Sequence, residues 1–132
     1  MSEHPNTALL RGLYRRDPAT LGSLIATSFD ESFVCHAAGP APVGGELVGI
    51  EAMLAHLGEL DRRCGDTLRA TPLDFLVDDT WAVVPQVMTA TRGGRTLDMP
   101  VAGFWRFSGP ERLAEHWEAP SDIRAWNAFW GD

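Results

Sequence analysis

At 132 residues and 45% hydrophobic content, the chain is long enough for one domain with a core and a pocket, and its composition fits neither a fibre nor a disordered tail. Its 11 positive charges are all arginine against 18 acidic residues, a formal net charge of −7 at pH 7. The lack of lysine excludes lysine Schiff-base chemistry; the acidic balance, with no basic run, argues against a nucleic-acid partner; and the apolar stretches are too short for a membrane span.

From Asn6 to Arg16, Leu9, Leu10, Leu13 and Tyr14 recur at helical spacing and leave the arginines on the other side. Asp17-Pro18 reads as an N-cap followed by proline at the first helical position, opening a second helix through Leu21, Leu24, Ile25 and Ser28. "ESFVCH" is a brief strand ending at His36, and a loop rich in Gly39, Pro40, Pro42, Gly44 and Gly45 then runs to Gly49. A third helix places Ile50, Met53, Leu54, Leu57 and Leu60 on one stripe.

The remainder changes character. "LRATPLDFLV", "TWAVVPQVMTAT", "RTLDMPVAGFWRF" and "RLAEHWE" are separated by Asp78-Asp79, Gly93-Gly94 and Ser108-Gly109-Pro110, which predicts a four-stranded antiparallel meander. Pro100 marks a bulge or a break on the outer side of its strand. Ile123, Trp126, Phe129 and Trp130 form a short C-terminal helix. The expected architecture is α+β: a curved antiparallel sheet wrapped over three N-terminal helices as an open cone, a single domain over residues 1–132.

Alternation along the strands is incomplete. Ala82, Val84, Gln86, Met88 and Ala90 share one face of their strand, yet Val83, Pro85 and Val87 make the opposite face apolar as well. Met99, Val101, Gly103 and Trp105 oppose Pro100, Ala102 and Phe104 in the same way. A sheet solvated on one side should alternate cleanly, so a homodimer through the outer sheet face is expected. Cys35 and Cys64 form no CxxC pair, and "MSEHPNTALLRGLYRRD" has no charged-then-apolar leader, so a reduced cytoplasmic protein is expected.

The order of these segments, with "GELVGIEAML" opening the third helix and the terminal "GPERLAEHWEAPSD", resembles the NTF2-like superfamily and, more narrowly, the SnoaL-like polyketide cyclases. The resemblance covers essentially the whole chain and implies the cone. It leaves function open, because the superfamily includes ketosteroid isomerases, cyclases, dehydratases, epoxide hydrolases and non-enzymatic binding proteins. Ketosteroid isomerases carry their aspartate base at the end of the first strand, and "VCHAAG" places His36 there. Their two oxyanion donors fall by spacing on Leu9 and Gly103, so both are missing, and "VMTATRGG" lacks the Arg-x-Asp part of the epoxide hydrolase site.

His36 is thus a candidate general acid/base. Counting by twos from Trp105, the isomerase register puts Leu113, Glu115 and Trp117 inside and His116 on the dimer side; a slip of one residue exchanges them. Glu115 inside the cone would orient His36 as a catalytic partner, or else satisfy loop backbone. His116 is the third catalytic candidate. Leu13, His56, Leu57, Gln86, Met88, Met99, Val101, Trp105, Leu113 and Trp117 are the expected lining of a site for a flat apolar ligand, with Gln86 able to orient a carbonyl.

His4, His36, His56 and His116 show no metal-ligand spacing, and no glycine motif cradles a phosphate, so neither metal nor cofactor is expected. The function that follows is a cofactor-independent enzyme of cyclase, isomerase or lyase (dehydratase) type acting on an apolar or polycyclic carbonyl compound of bacterial secondary metabolism. The alternative is a non-catalytic small-molecule-binding or dimeric accessory protein with the same pocket, marked by a His36 that never reaches the interior.

Overall fold

The computed structural model describes residues 3–40 and 43–131; Ala41 and Pro42, part of the Gly/Pro loop, lie outside the described residues. In chain order the elements are α1 (Pro5–Arg15), α2 (Leu21–Ser28), β1 (Phe29–Ala37), β2 (Gly45–Val48), α3 (Ile50–Arg63), β3 (Arg69–Pro72), β4 (Leu76–Val77), β5 (Trp81–Arg92), β6 (Arg95–Gly109), β7 (Arg112–Pro120) and α4 (Ile123–Trp130). The helices cover one face of a curved α+β sheet of order β2-β1-β7-β6-β5-β3, with β4 also paired to β5.

All four helices appear where periodicity places them. Pro5 opens α1, whose first turn is capped by the His4 ring accepting the Asn6 N–H at 3.0 Å. α2 starts later than the Asp17-Pro18 signal: Asp17 caps a separate turn by accepting the Ala19 N–H at 3.0 Å, and the helix begins at Leu21. Asp122 caps α4 by accepting the Ala125 N–H, also at 3.0 Å. The far end of α4 is held by Arg92 and Arg95, whose guanidiniums donate to the carbonyls of Phe129 and Gly131.

The sheet is richer than a four-stranded meander. The Gly/Pro loop contains β2, which forms a hairpin with β1 and pairs His36 with Glu46. "LRATPLDFLV" is broken after Pro72 into β3 and β4, both paired to β5. β1 lies parallel to β7, the one parallel pair among the described strands. Gly93 and Gly94, at φ 51° and 85°, supply the left-handed pair that a two-residue hairpin between β5 and β6 requires.

Pro100 makes no bulge. β6 runs through it without a break because pairing to β7 reaches only as far as Val101. The irregularity lies in β7 instead: Arg106 pairs with Glu115 but Phe107 with Leu113, so Ala114 is an extra residue. Leu113 and Ala114 are both buried, and beyond them the facing of β7 is reversed from simple alternation.

The core divides into two apolar clusters. One joins Leu9, Leu10 and Leu13 of α1 to Phe33, Val84, Trp105, Phe107 and Leu113. The other joins Leu60 of α3 and Trp126, Phe129 and Trp130 of α4 to Met88, Leu97, Met99 and Val101. Between them the inner face of the sheet turns polar.

Candidate functional site

Along β5 the buried side chains run Ala82, Val84, Gln86, Met88 and Ala90, so Gln86 is the polar step between the two clusters. On β6 that level is Gly103, paired with Val84 on one side and with Glu118 on the other. On β7 the Ala114 bulge turns His116 inward, and Glu118, two residues on, shares its face. Gln86, His116 and Glu118 thus form a polar belt across three strands, roofed by Tyr14 from α1.

Gly103 makes the belt possible. A Cβ there would lie 2.9 Å from Tyr14 Oη, 3.2 Å from His116 Cε1 and 3.5 Å from Gln86 Nε2, so only glycine lets these groups converge without displacement. Tyr14 Oη accepts the Trp105 indole N–H at 3.1 Å, and the Gln86 side chain is a second hydrogen-bond neighbour. Burial pushes the Tyr14 hydroxyl up to about 12, against those two bonds, so it keeps its proton.

His116 is buried and stacked on Trp105, with centroids 3.8 Å apart. Its Nδ1 stands 3.0 Å from the Phe104 carbonyl, which can only accept, so Nδ1 carries the proton and Nε2 keeps its lone pair. Burial pushes the imidazole down to about 4; the Phe104 bond opposes this, and nearby His36 adds to it. Burial likewise raises Glu118 above the usual carboxylate range, although one oxygen accepts the Ala38 N–H at 3.2 Å. Cys35, inward on β1, is pushed up to about 12 by burial and then by Glu118, which makes it a thiol and not a nucleophile.

His36 and Glu115 do meet, at 2.6 Å between Nε2 and Oε2, but on the outer face of the sheet. Arg106 donates to the other Glu115 oxygen at 3.2 Å, and the His36 ring lies parallel to Trp117 at 5.1 Å. The His36 bond, helped by Arg106 against partial burial, holds the Glu115 carboxyl below its ordinary range. The simple register is therefore corrected by the bulge: Glu115 and Trp117 face outward, and His116 faces in.

Of the expected lining, Gln86, Met88, Met99, Val101, Trp105 and Leu113 are buried on the inner sheet face, and Leu13 joins them from α1. Leu57 packs against the first cluster. His56 is half-buried on α3, where desolvation lowers its pKa. A cleft of about 390 Å³ is lined by Arg11, Tyr14, Arg15, Pro72, Leu73, Asp74 and Phe75, none of which belongs to the expected lining. It reaches the belt at Tyr14, which the sequence reading placed on the α1 stripe but gave no role. Glu118 was also missed; alternation from His116 finds it once the bulge is known.

An antiparallel-rich sheet wrapped over helices around a partly polar interior is the NTF2-like fold. The family model for the SnoaL-like domain matches residues 7–116, and the chain belongs to that family. Bal32a, from a soil-derived mobile gene cassette, superposes with a TM-score of 0.84 at 30% identity, over 96% of this chain and 97% of that one. TerC, crystallised with polyporic acid, superposes at 0.76 and 17% identity over 95% and 97%. IdmH of Streptomyces antibioticus, a candidate polyketide cyclase, does so at 0.71 and 18% over 96% of each chain. No curated protein matches the chain in sequence. Among the described residues no helix is long and apolar enough to cross a membrane.

Proposed function

We propose that the chain is a cofactor-independent acid/base enzyme of cyclase or isomerase type, acting on an apolar, carbonyl-bearing small molecule at the inner polar belt. The observation that carries this reading is the buried His116: its Nδ1–H is committed to the Phe104 carbonyl, its Nε2 has no hydrogen-bond partner among the described residues, and its ring converges with Tyr14 and Gln86 over Gly103.

His116 Nε2 accepts a proton from the carbon next to the substrate carbonyl. The Tyr14 hydroxyl, whose oxygen already accepts from Trp105, donates its own proton as a hydrogen bond to the developing enolate oxygen, and Gln86 supports it. Glu118, whose pKa is raised by burial, is the second proton-transfer group of the belt. An imidazole that titrates at about 4 is a weak base, so the reaction needs an acidified carbon, as between two carbonyls or beside an aromatic ring.

On this reading the outer His36–Glu115 pair belongs to a homodimer face, where Trp81 and Phe104 stay 49% and 38% exposed. The outward His36 also favours a second reading, a non-catalytic binding protein with the same interior. Deuterium exchange at the benzylic carbon of 2-tetralone in D₂O, followed by NMR, separates the two. Enzymatic exchange that falls about 10²-fold in His116→Gln and less than about twofold in His36→Gln supports catalysis at the belt. Wild-type exchange no faster than buffer supports the binding protein.

A further inference from the structure

The cleft beside Tyr14 differs chemically from the belt behind it. α1 presents Arg11, Tyr14 and Arg15 at helical spacing on one side, facing Pro72, Leu73, Asp74 and Phe75 in and after β3. The Tyr14 ring meets Phe75 edge-on at 5.8 Å, and the Arg11 guanidinium lies 4.8 Å over the same Phe75 ring. One wall is thus aromatic and aliphatic, and the rim is cationic.

The three arginines at the end of α1 are not equivalent. Arg11 already donates to the Glu3 carboxylate at 2.6 and 3.0 Å, and Arg16 pairs with Asp61 at 3.8 Å. Arg15 makes no hydrogen bond or ion pair with a side chain among the described residues. Asp74, the acidic residue of the cleft, has Oδ1 engaged by its neighbour's Phe75 N–H at 2.7 Å, in its own turn. A planar guanidinium with no side-chain partner among the described residues, exposed to solvent in the same cleft as an aromatic wall, matches a carboxylate carried on an apolar skeleton.

We propose that this cleft is a subsite for an organic carboxylate, which Arg15 binds through its carboxyl group while Tyr14 and Phe75 take the apolar skeleton. The proposal rests on the small-molecule reading above and narrows the ligand class to apolar acids. Tyr14 serves both places, its ring walling the cleft and its hydroxyl roofing the belt, so this one side chain stands between an acid held here and His116.

Isothermal titration with 1-naphthoate and with its uncharged methyl ester tests the assignment. Wild type should bind the acid about fivefold to tenfold more tightly than the ester, a preference that weakens with added salt. Arg15→Gln should remove the preference, and Arg15→Lys, which restores a charge without the fork, should recover part of it. If Arg15 only complements the α1 dipole, acid and ester bind alike and the proposal is overturned. It is equally overturned if Arg15→Gln leaves the ratio unchanged or if neither compound binds. An Arg15-dependent preference in a protein without His116-dependent exchange keeps the subsite and removes the acid/base reading. Ester binding with no acid preference, in a protein that shows His116-dependent exchange, does the reverse.

Discussion

At the scale of single residues, Gly103 and His116 set the shape and chemistry of the inner face. A Cβ at position 103 would press on Tyr14 Oη at 2.9 Å, so Gly103→Ala should cost about 1–3 kcal/mol in urea unfolding. Removing the hydroxyl in Gly103→Ala/Tyr14→Phe should recover part of that loss, a coupling that a double-mutant cycle reads directly. His116 has its own pH signature. Its folded pKa lies at about 4, below the unfolded 6.5, so between those values the unfolded chain binds the extra proton. Stability should therefore fall as pH drops through that window, by up to roughly 3 kcal/mol, and level off below pH 4. Glu118 is raised and contributes the opposite sign, so the His116 share is the difference between wild type and His116→Gln at pH 7 and pH 4.5. Equal acid loss in both proteins would remove the buried neutral imidazole.

At the scale of elements, the sequence was readable where one period dominates. The stripes of α1, α3 and α4, and the Gly93-Gly94 hairpin, were visible because apolar spacing and turn chemistry are local properties. β2 was hidden because Gly45–Val48 is short, mostly exposed and embedded in glycine and proline. The Ala114 bulge was invisible for a deeper reason: one extra residue leaves composition unchanged yet reverses the facing of every residue beyond it, and only the partner strand reveals it. The expected His36–Glu115 contact therefore forms, but outside, and the histidine expected at the dimer face is the one within. Tyr14 went unused because spacing from the isomerases pointed to Leu9, which is core. Deleting Ala114 should force Glu115 and Trp117 inward and His116 outward; loss of cooperative unfolding and of near-UV circular dichroism is the expected result. A deletion variant with native signals would show that β7 tolerates either facing.

At the scale of the molecule, the two faces of the sheet differ in chemistry. The outer one offers Trp81, Phe104 and Trp117 around the His36–Glu115–Arg106 group, and sedimentation equilibrium at micromolar concentration should give twice the chain mass. Phe104→Glu should shift it to the monomer without loss of fold; a wild-type monomer would leave this face solvated. The inner face carries the claim on which the functional reading depends, that His116 is a neutral base with a free Nε2. Long-range ¹H–¹⁵N NMR of the histidine rings, followed from pH 8 to pH 5 with and without 2-tetralone, tests it most directly. The expected result is a His116 ring protonated at Nδ1 alone across the whole range, with its Nε2 resonance moved by the ligand. A His116 that titrates near 6.5, or an Nε2 resonance indifferent to saturating ligand while other resonances shift, would contradict it.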